Sequence, residues 1–273
     1  MLKQRVITAL VLIVALMSLL LLLPAQLFAL FLSLVFTLGA WEWARLAGVK
    51  DTTQRMGYAA VVLVTGMLPW WLGIDVMLGL QVLASCWWIC ALVLLLLHPQ
   101  HASLLHSRAA LLWLGGLVLG ACMSALPSLL QLPGDHRFYV LWFIALIAAA
   151  DIGAYFTGKA IGKHKLAPAI SPNKTIEGLV GGIIATVLVA LAGSRFSFAL
   201  AVDQVRWYGW VLSGAVLAII SVVGDLFESL LKRQQGLKDS SSLLPGHGGV
   251  MDRLDSIVAA LPFFVLWLTR AVV

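Results

Sequence analysis

The chain has 273 residues, 62% hydrophobic and 11% charged, with a mean hydropathy of +1.01 and a net charge of +6. A soluble domain of this length needs far more polar surface to cover its core, so the soluble classes are excluded and no nucleic-acid partner is expected. The three cysteines, Cys86, Cys90 and Cys122, all lie in apolar stretches; they imply no disulfide framework and no metal site, and read as packing residues.

Apolar stretches of spanning length recur along the whole chain. They place helices at about 6–23, 26–46, 57–73, 76–97, 109–130, 138–157, 176–193, 207–231 and 255–272. The expected fold is all-α: a polytopic integral membrane protein of about nine transmembrane helices. One membrane-embedded domain covers residues 1–273, with N-terminal helices in 1–150 and the polar motifs in 151–273. The first stretch starts with Lys3 and Arg5, as a signal peptide does. It runs to full spanning length, however, and another span follows Pro24–Gln26, so it reads as a retained helix. The third is short enough to be tilted or partly re-entrant, and the seventh is glycine-rich. With the N-terminus in the cytoplasm, 14 of the 18 Lys and Arg residues fall on inside segments and 4 (Arg137, Arg195, Arg206, Arg270) outside. That asymmetry predicts a cytoplasmic N-terminus.

Two inside segments, 158–175 and 232–254, are long and polar. In the first, SPNKT reads as a helix start, with Ser171 as N-cap, Pro172 at the first helical position and Lys174 beside exposed N–H groups. Glu177 follows one turn on. Gly178 and Gly182 form a GxxxG that fits close helix packing. At the end of the eighth span, Asp225, Glu228 and Ser229 share a helix face, and Glu228 can pair with Lys232 at i,i+4. Taken alone, Asp225 reads equally as functional or structural. Asp252 and Asp255 open the ninth span, where acids also favour the helix dipole. Glycines 246, 248 and 249 precede them and let a backbone approach an anion; His247 between them either bonds a phosphate or orders the loop. If the last two spans are antiparallel neighbours, Asp225, Asp252 and Asp255 converge. Carboxylates that close repel unless a cation sits among them, and hard oxygen donors select Mg²⁺. Lys232, Arg233, Lys238 and Arg253 surround that centre, an arrangement suited to phosphoryl or nucleotidyl transfer.

The run SLLKRQQGLKDSSSLLPGHGGVMDRLD, 229–255, resembles the signature of phosphatidate cytidylyltransferases, also called CDP-diacylglycerol synthases. Ser229, Lys232-Arg233, Lys238-Asp239, Pro245, His247-Gly248-Gly249 and Asp252-Arg253-Leu254-Asp255 meet it without departure. SPNKTIEG and GDLFES are similar to two further family stretches. A third, Asp-Thr-x-Ala-Tyr, keeps Asp151 and Tyr155 but has Ile152 in place of Thr. The resemblance implies that CTP and phosphatidate react to give CDP-diacylglycerol and pyrophosphate in phospholipid biosynthesis, at the cytoplasmic face of a bacterial-type inner membrane. It implies Mg²⁺ on Asp225 and Asp252 with Asp255 nearby, leaving a second cation open. It implies catalytic roles for Asp225, Asp252, Lys238, Arg253 and His247. Substrate contacts would come from Ser171, Asn173, Lys174, Glu228, Lys232, Arg233, Asp239, Gly248 and Gly249. The bilayer is the lipid substrate's solvent, and a homodimer is left open. The competing class is a cation-coupled membrane transporter, which also needs acids in its spans.

Overall fold

The computed structural model describes residues 2–97, 107–197, 202 and 204–272. The chain is helical almost throughout. Helix α1 (Leu2–Leu22) stops before Pro24, and α2 (Ala25–Leu46) follows directly. Asp51 caps α3 (Thr52–Met67) by accepting the Gln54 N–H at 2.7 Å. Pro69 opens the short α4 (Pro69–Leu72), and Gly73, at a φ of 100°, turns the chain into α5 (Ile74–Leu97). Then come α6 (Arg108–Leu129) and α7 (His136–Ile161), each capped by a side chain, Ser107 and Asp135. Beyond a hairpin lie α8 (Ile176–Gly193), α9 (Trp207–Gln234) and α10 (Met251–Val272).

Among the described residues, seven helices are long and apolar enough to cross a membrane: α2 and α5 to α10. The expected first and third spans fall on shorter apolar elements. In α1 the apolar run is Leu10–Leu22, and the 57–73 stretch is broken between α3, of 16 residues, and α4. The break has a local cause: Leu68 still has helical dihedrals and bonds back to Val64 O, but Pro69 has no N–H to continue the ladder.

The fold is mostly helical, as expected, with one short hairpin that the sequence reading did not place. Residues Lys165–Ala167 (β1) and Ser171–Thr175 (β2) pair as an antiparallel hairpin, Lys165 opposite Thr175 and Ala167 opposite Ser171. Ser171 is therefore not an N-cap and Pro172 is not in a helix. The cap is Thr175, whose Oγ1 accepts the Gly178 N–H at 3.1 Å, and helix α8 starts at Ile176. Gly178 and Gly182 do serve close packing. A Cβ at either would meet a carbonyl oxygen of α7, Ala154 at 2.9 Å or Ala150 at 2.8 Å.

Two apolar clusters fill the interior. One surrounds Phe227, Trp43 and Trp88; the other surrounds Phe264, Trp210 and Tyr139. Outside, large apolar side chains such as Leu22, Trp71, Trp113 and Leu212 are exposed, as expected where lipid replaces water. Cys86 and Cys90 are exposed too, not packed as expected, while Cys122 is buried.

Candidate active site

Helices α9 and α10 meet at Gly224. A Cβ there would lie 2.3 Å from the Asp255 carbonyl oxygen and 2.7 Å from the Ala259 Cβ, so only glycine permits this approach. The next residue is Asp225. The close crossing leaves Asp255 near enough to Asp225 and Glu228 for both charges to act on it. Between those two acids, Phe227 faces the other way and is fully buried. Its ring centroid lies 6.2 Å from that of Trp43 and 5.7 Å from those of Trp87 and Trp88. The apolar anchor fixes the rotation of α9 and with it the acidic face.

Two lysines answer the acids. Lys232 Nζ lies 2.8 Å from Glu228 Oε2, the i,i+4 pair expected, and 2.6 Å from Asp252 Oδ1 on α10. Lys174, carried in by β2, lies 2.6 Å from Asp225 Oδ2. Its charge is thus spent on an acid of α9 rather than beside free helix N–H groups. The hairpin is held by Glu177, which accepts from Lys163 N–H at 3.1 Å and from His164 N–H at 3.2 Å. Asp151 on α7 is exposed, within electrostatic reach of Asp225, Lys174 and Arg253. Ile152, where the family pattern has Thr, lies on an open apolar groove between α7 and α8.

The segment 235–250 folds over this cluster. Asp252 Oδ2 accepts from Ser240 N–H (2.9 Å), Ser240 Oγ (2.9 Å) and Gly249 N–H (2.8 Å). Gly246 and Gly248 have φ of 76° and 82°, and Leu244 N–H donates to Gly248 O, which closes the turn. The His247 carbonyl accepts from Arg253 Nε (3.3 Å) and Nη2 (2.9 Å), while its buried Nδ1 has no partner. Arg233 Nη1 donates to Leu237 O, and Lys238, Asp239 and Asn173 are exposed. Ser171 is half-buried at the start of β2.

The sequence reading missed a member of this assembly. Glu42 of α2 is fully buried and accepts from Ser240 Oγ (3.0 Å), Ser241 Oγ (2.5 Å), Val250 N–H (3.0 Å) and Met251 N–H (2.5 Å). Arg45, three residues on, donates to Ser240 O at 2.8 Å. The signal was present: an acid inside a spanning apolar helix needs a partner.

Among the described residues, no three His, Cys, Asp or Glu side chains are grouped so as to hold a metal ion unaided. Fewer protein ligands still suit Mg²⁺, which commonly takes one or two carboxylates and completes its shell with water and substrate phosphate. The donor set fits that pattern. Glu228 Oε1 is buried with no partner, and the Asp255 carboxylate bonds only the neighbouring Ser256 N–H, at 2.7 Å. Asp252 engages both oxygens with Lys232 and the loop, and Asp225 engages both with Lys174 (Oδ2, 2.6 Å) and Ser229 (Oγ to Oδ1, 3.3 Å), so either must release a partner to bind a cation.

A model of the cytidylyltransferase family matches residues 3–270. The phosphatidate cytidylyltransferase of Pseudomonas aeruginosa is 43% identical over 98% of this chain and 97% of its own length. That of Haemophilus influenzae is 40% identical over 97% of each. That of Brucella suis is 38% identical over 83% of this chain and 78% of its own length.

Proposed function

Since the chain belongs to the cytidylyltransferase family, we propose that it joins CTP to phosphatidate at the α9–α10 cluster, yielding CDP-diacylglycerol and pyrophosphate. The observation that carries this is the meeting of Asp225, Glu228, Asp252 and Asp255 with Lys174 and Lys232 at one end of the helical bundle, under a glycine-rich loop. A phosphatidate oxygen attacks the α-phosphorus of CTP. The bond from that phosphorus to the α–β bridging oxygen breaks, and pyrophosphate leaves with its electron pair. A phosphate monoester is already anionic near neutral pH, so the attack needs no dedicated base. What the protein supplies is placement and charge.

Lys174 and Lys232 turn from their carboxylates towards substrate phosphates, and Arg253, Arg233 and Lys238 add positive charge around the triphosphate. The Gly248 and Gly249 backbone lets a phosphate come close, and His247 Nδ1 has a free position to bond it. Asp225, once released by Lys174, and Asp255, with Glu228 beside them, would hold Mg²⁺, which would supply Lewis-acid neutralisation of the phosphate oxygens. Asp252 fixes Lys232 and the loop.

A substrate with two acyl chains leaves a bilayer only at a cost of about 0.8 kcal/mol per buried CH₂, whereas CTP is water-borne. The reaction therefore belongs at an interface. In this reading α1 and the α3–α4 pair also cross, making nine passes with the N-terminus and the site on the cytoplasmic side of an inner membrane. The basic-residue asymmetry supports it, as does the bond from Thr8 Oγ1 of α1 to Pro245 O in the site loop, 3.2 Å. A cation-coupled transporter finds no support: the acids gather at one end of the bundle and the relatives are transferases.

The test is transfer of label from radioactive CTP into lipid by the purified protein with phosphatidate and Mg²⁺. EDTA is expected to stop it, and Asp225→Asn to slow it about 100-fold or more. Near-normal turnover by Asp225→Asn would overturn the assignment of that residue.

A further inference from the structure

Glu42 stands outside every motif described above, on α2, about 200 residues from the loop it touches. On the function proposed above, we infer that Glu42 is a positioning residue of the active site: it ties down the start of α10 and, through Ser240, sets where Asp252 and its partner Lys232 stand.

A carboxylate only accepts, at about four sites, and Glu42 has four donors, all from the loop and the first turn of α10. No ion pair to Glu42 occurs among the described residues, so backbone N–H groups at the positive end of α10 and two hydroxyls carry its charge. The Ser240 hydroxyl lies 3.0 Å from Glu42 Oε2 and 2.9 Å from Asp252 Oδ2. With a single proton to give, it bonds one carboxylate at a time, which couples the two acids. Arg45 holds the Ser240 carbonyl from the same helix. Gly249 closes the assembly: a Cβ there would fall 2.0 Å from Ser240 Oγ and 2.6 and 2.7 Å from the two Glu42 oxygens. An apolar side chain could fill this space without burying a charge. Among the described residues, the carboxylate binds only the segment that presents His247, Gly248, Gly249 and Asp252.

The test compares the full-length wild type with Glu42→Gln, Ser240→Ala and the double variant, each as a monodisperse fraction in detergent. Glutamine keeps the size but offers a donor where only donors point. With displacement of a substrate-positioning group, kcat per folded molecule is expected to fall about 10- to 100-fold while the KM for CTP moves less than about threefold. Because the two changes meet at the Ser240 hydroxyl that links Glu42 to Asp252, their losses are expected to overlap, the double variant falling well short of the product of the single ones. Tryptic cleavage after Lys238, in the tethered loop, is expected to quicken about tenfold in Glu42→Gln as local opening becomes easier. A kcat within about twofold of wild type, or losses that multiply in the double variant, overturns the inference. Should Glu42→Gln fail to fold, Ser240→Ala decides alone: a fall in kcat of about threefold or more supports the tether and an unchanged kcat overturns it. If the wild type itself puts no label into lipid, the proposed reaction is wrong; the Lys238 cleavage rate then decides the tether on its own, an unchanged rate overturning it.

Discussion

Lys232→Met places the largest electrostatic demand on the site. The ammonium nitrogen lies 2.8 Å from Glu228 Oε2 and 2.6 Å from Asp252 Oδ1, so those two oxygens are at most about 5.4 Å apart. The Glu228 side chain is 1% exposed and that of Asp252 8%, which leaves little water to screen them. At an effective dielectric of about 20, two unit charges at that spacing repel by about 3 kcal/mol. Removing one partner of a buried pair costs about 3–5 kcal/mol in measured cases, which agrees. At roughly 2–4 °C per kcal/mol, the melting temperature of Lys232→Met in detergent is expected to fall by about 6–12 °C. The decisive comparison is Lys232→Met/Glu228→Gln. Neutralising Glu228 removes the repulsion that the first change exposes, so the double variant is expected to melt above the single one. Scanning fluorimetry of the two side by side checks this. A single variant as stable as wild type, or a double variant no better than the single, refutes the electrostatic account of Lys232.

Three further outcomes follow from packing. Gly249→Ala puts a methyl group 2.0 Å from Ser240 Oγ, and CTP-dependent lipid labelling is expected to drop about 100-fold because the loop must shift away from Asp252. Gly224→Ala forces α9 and α10 apart against the Asp255 carbonyl at 2.3 Å; overpacking of that kind costs about 1–3 kcal/mol, readable as a lower melting temperature together with reduced turnover. Phe227→Ala empties the space between Trp43, Trp87 and Trp88 at a cost of about 3–5 kcal/mol, which thermal unfolding measures directly.

How far the site was legible depended on the range of the interaction. The Glu228–Lys232 pair and the GxxxG motif lie within single helices, where spacing along the chain fixes which residues share a face. The nearness of Asp225 and Asp255 needed only the antiparallel neighbours α9 and α10. SPNKT misled because a local helix-start pattern also suits the end of a strand. What decided was pairing with Lys165–Ala167 and the bond from Ile176 N–H to His164 O at 2.9 Å, neither visible in five letters. The Lys174–Asp225 bridge joins residues 51 positions apart, and the Glu42 bonds to Ser240 and Met251 span 198 and 209. No periodicity reports such distances. A charged residue in an apolar span says that a partner exists, not which one. The exposed Cys86 and Cys90 show the converse: in a lipid-facing chain, an apolar setting does not mean burial.

Lys174 and Lys232 act as built-in counterions for the acids they cover. On the Mg²⁺ chemistry proposed above, the folded chain is expected to persist without the ion, so that starvation for it would silence turnover while sparing the pool of finished molecules, a reserve that re-feeding would switch back on with no fresh synthesis.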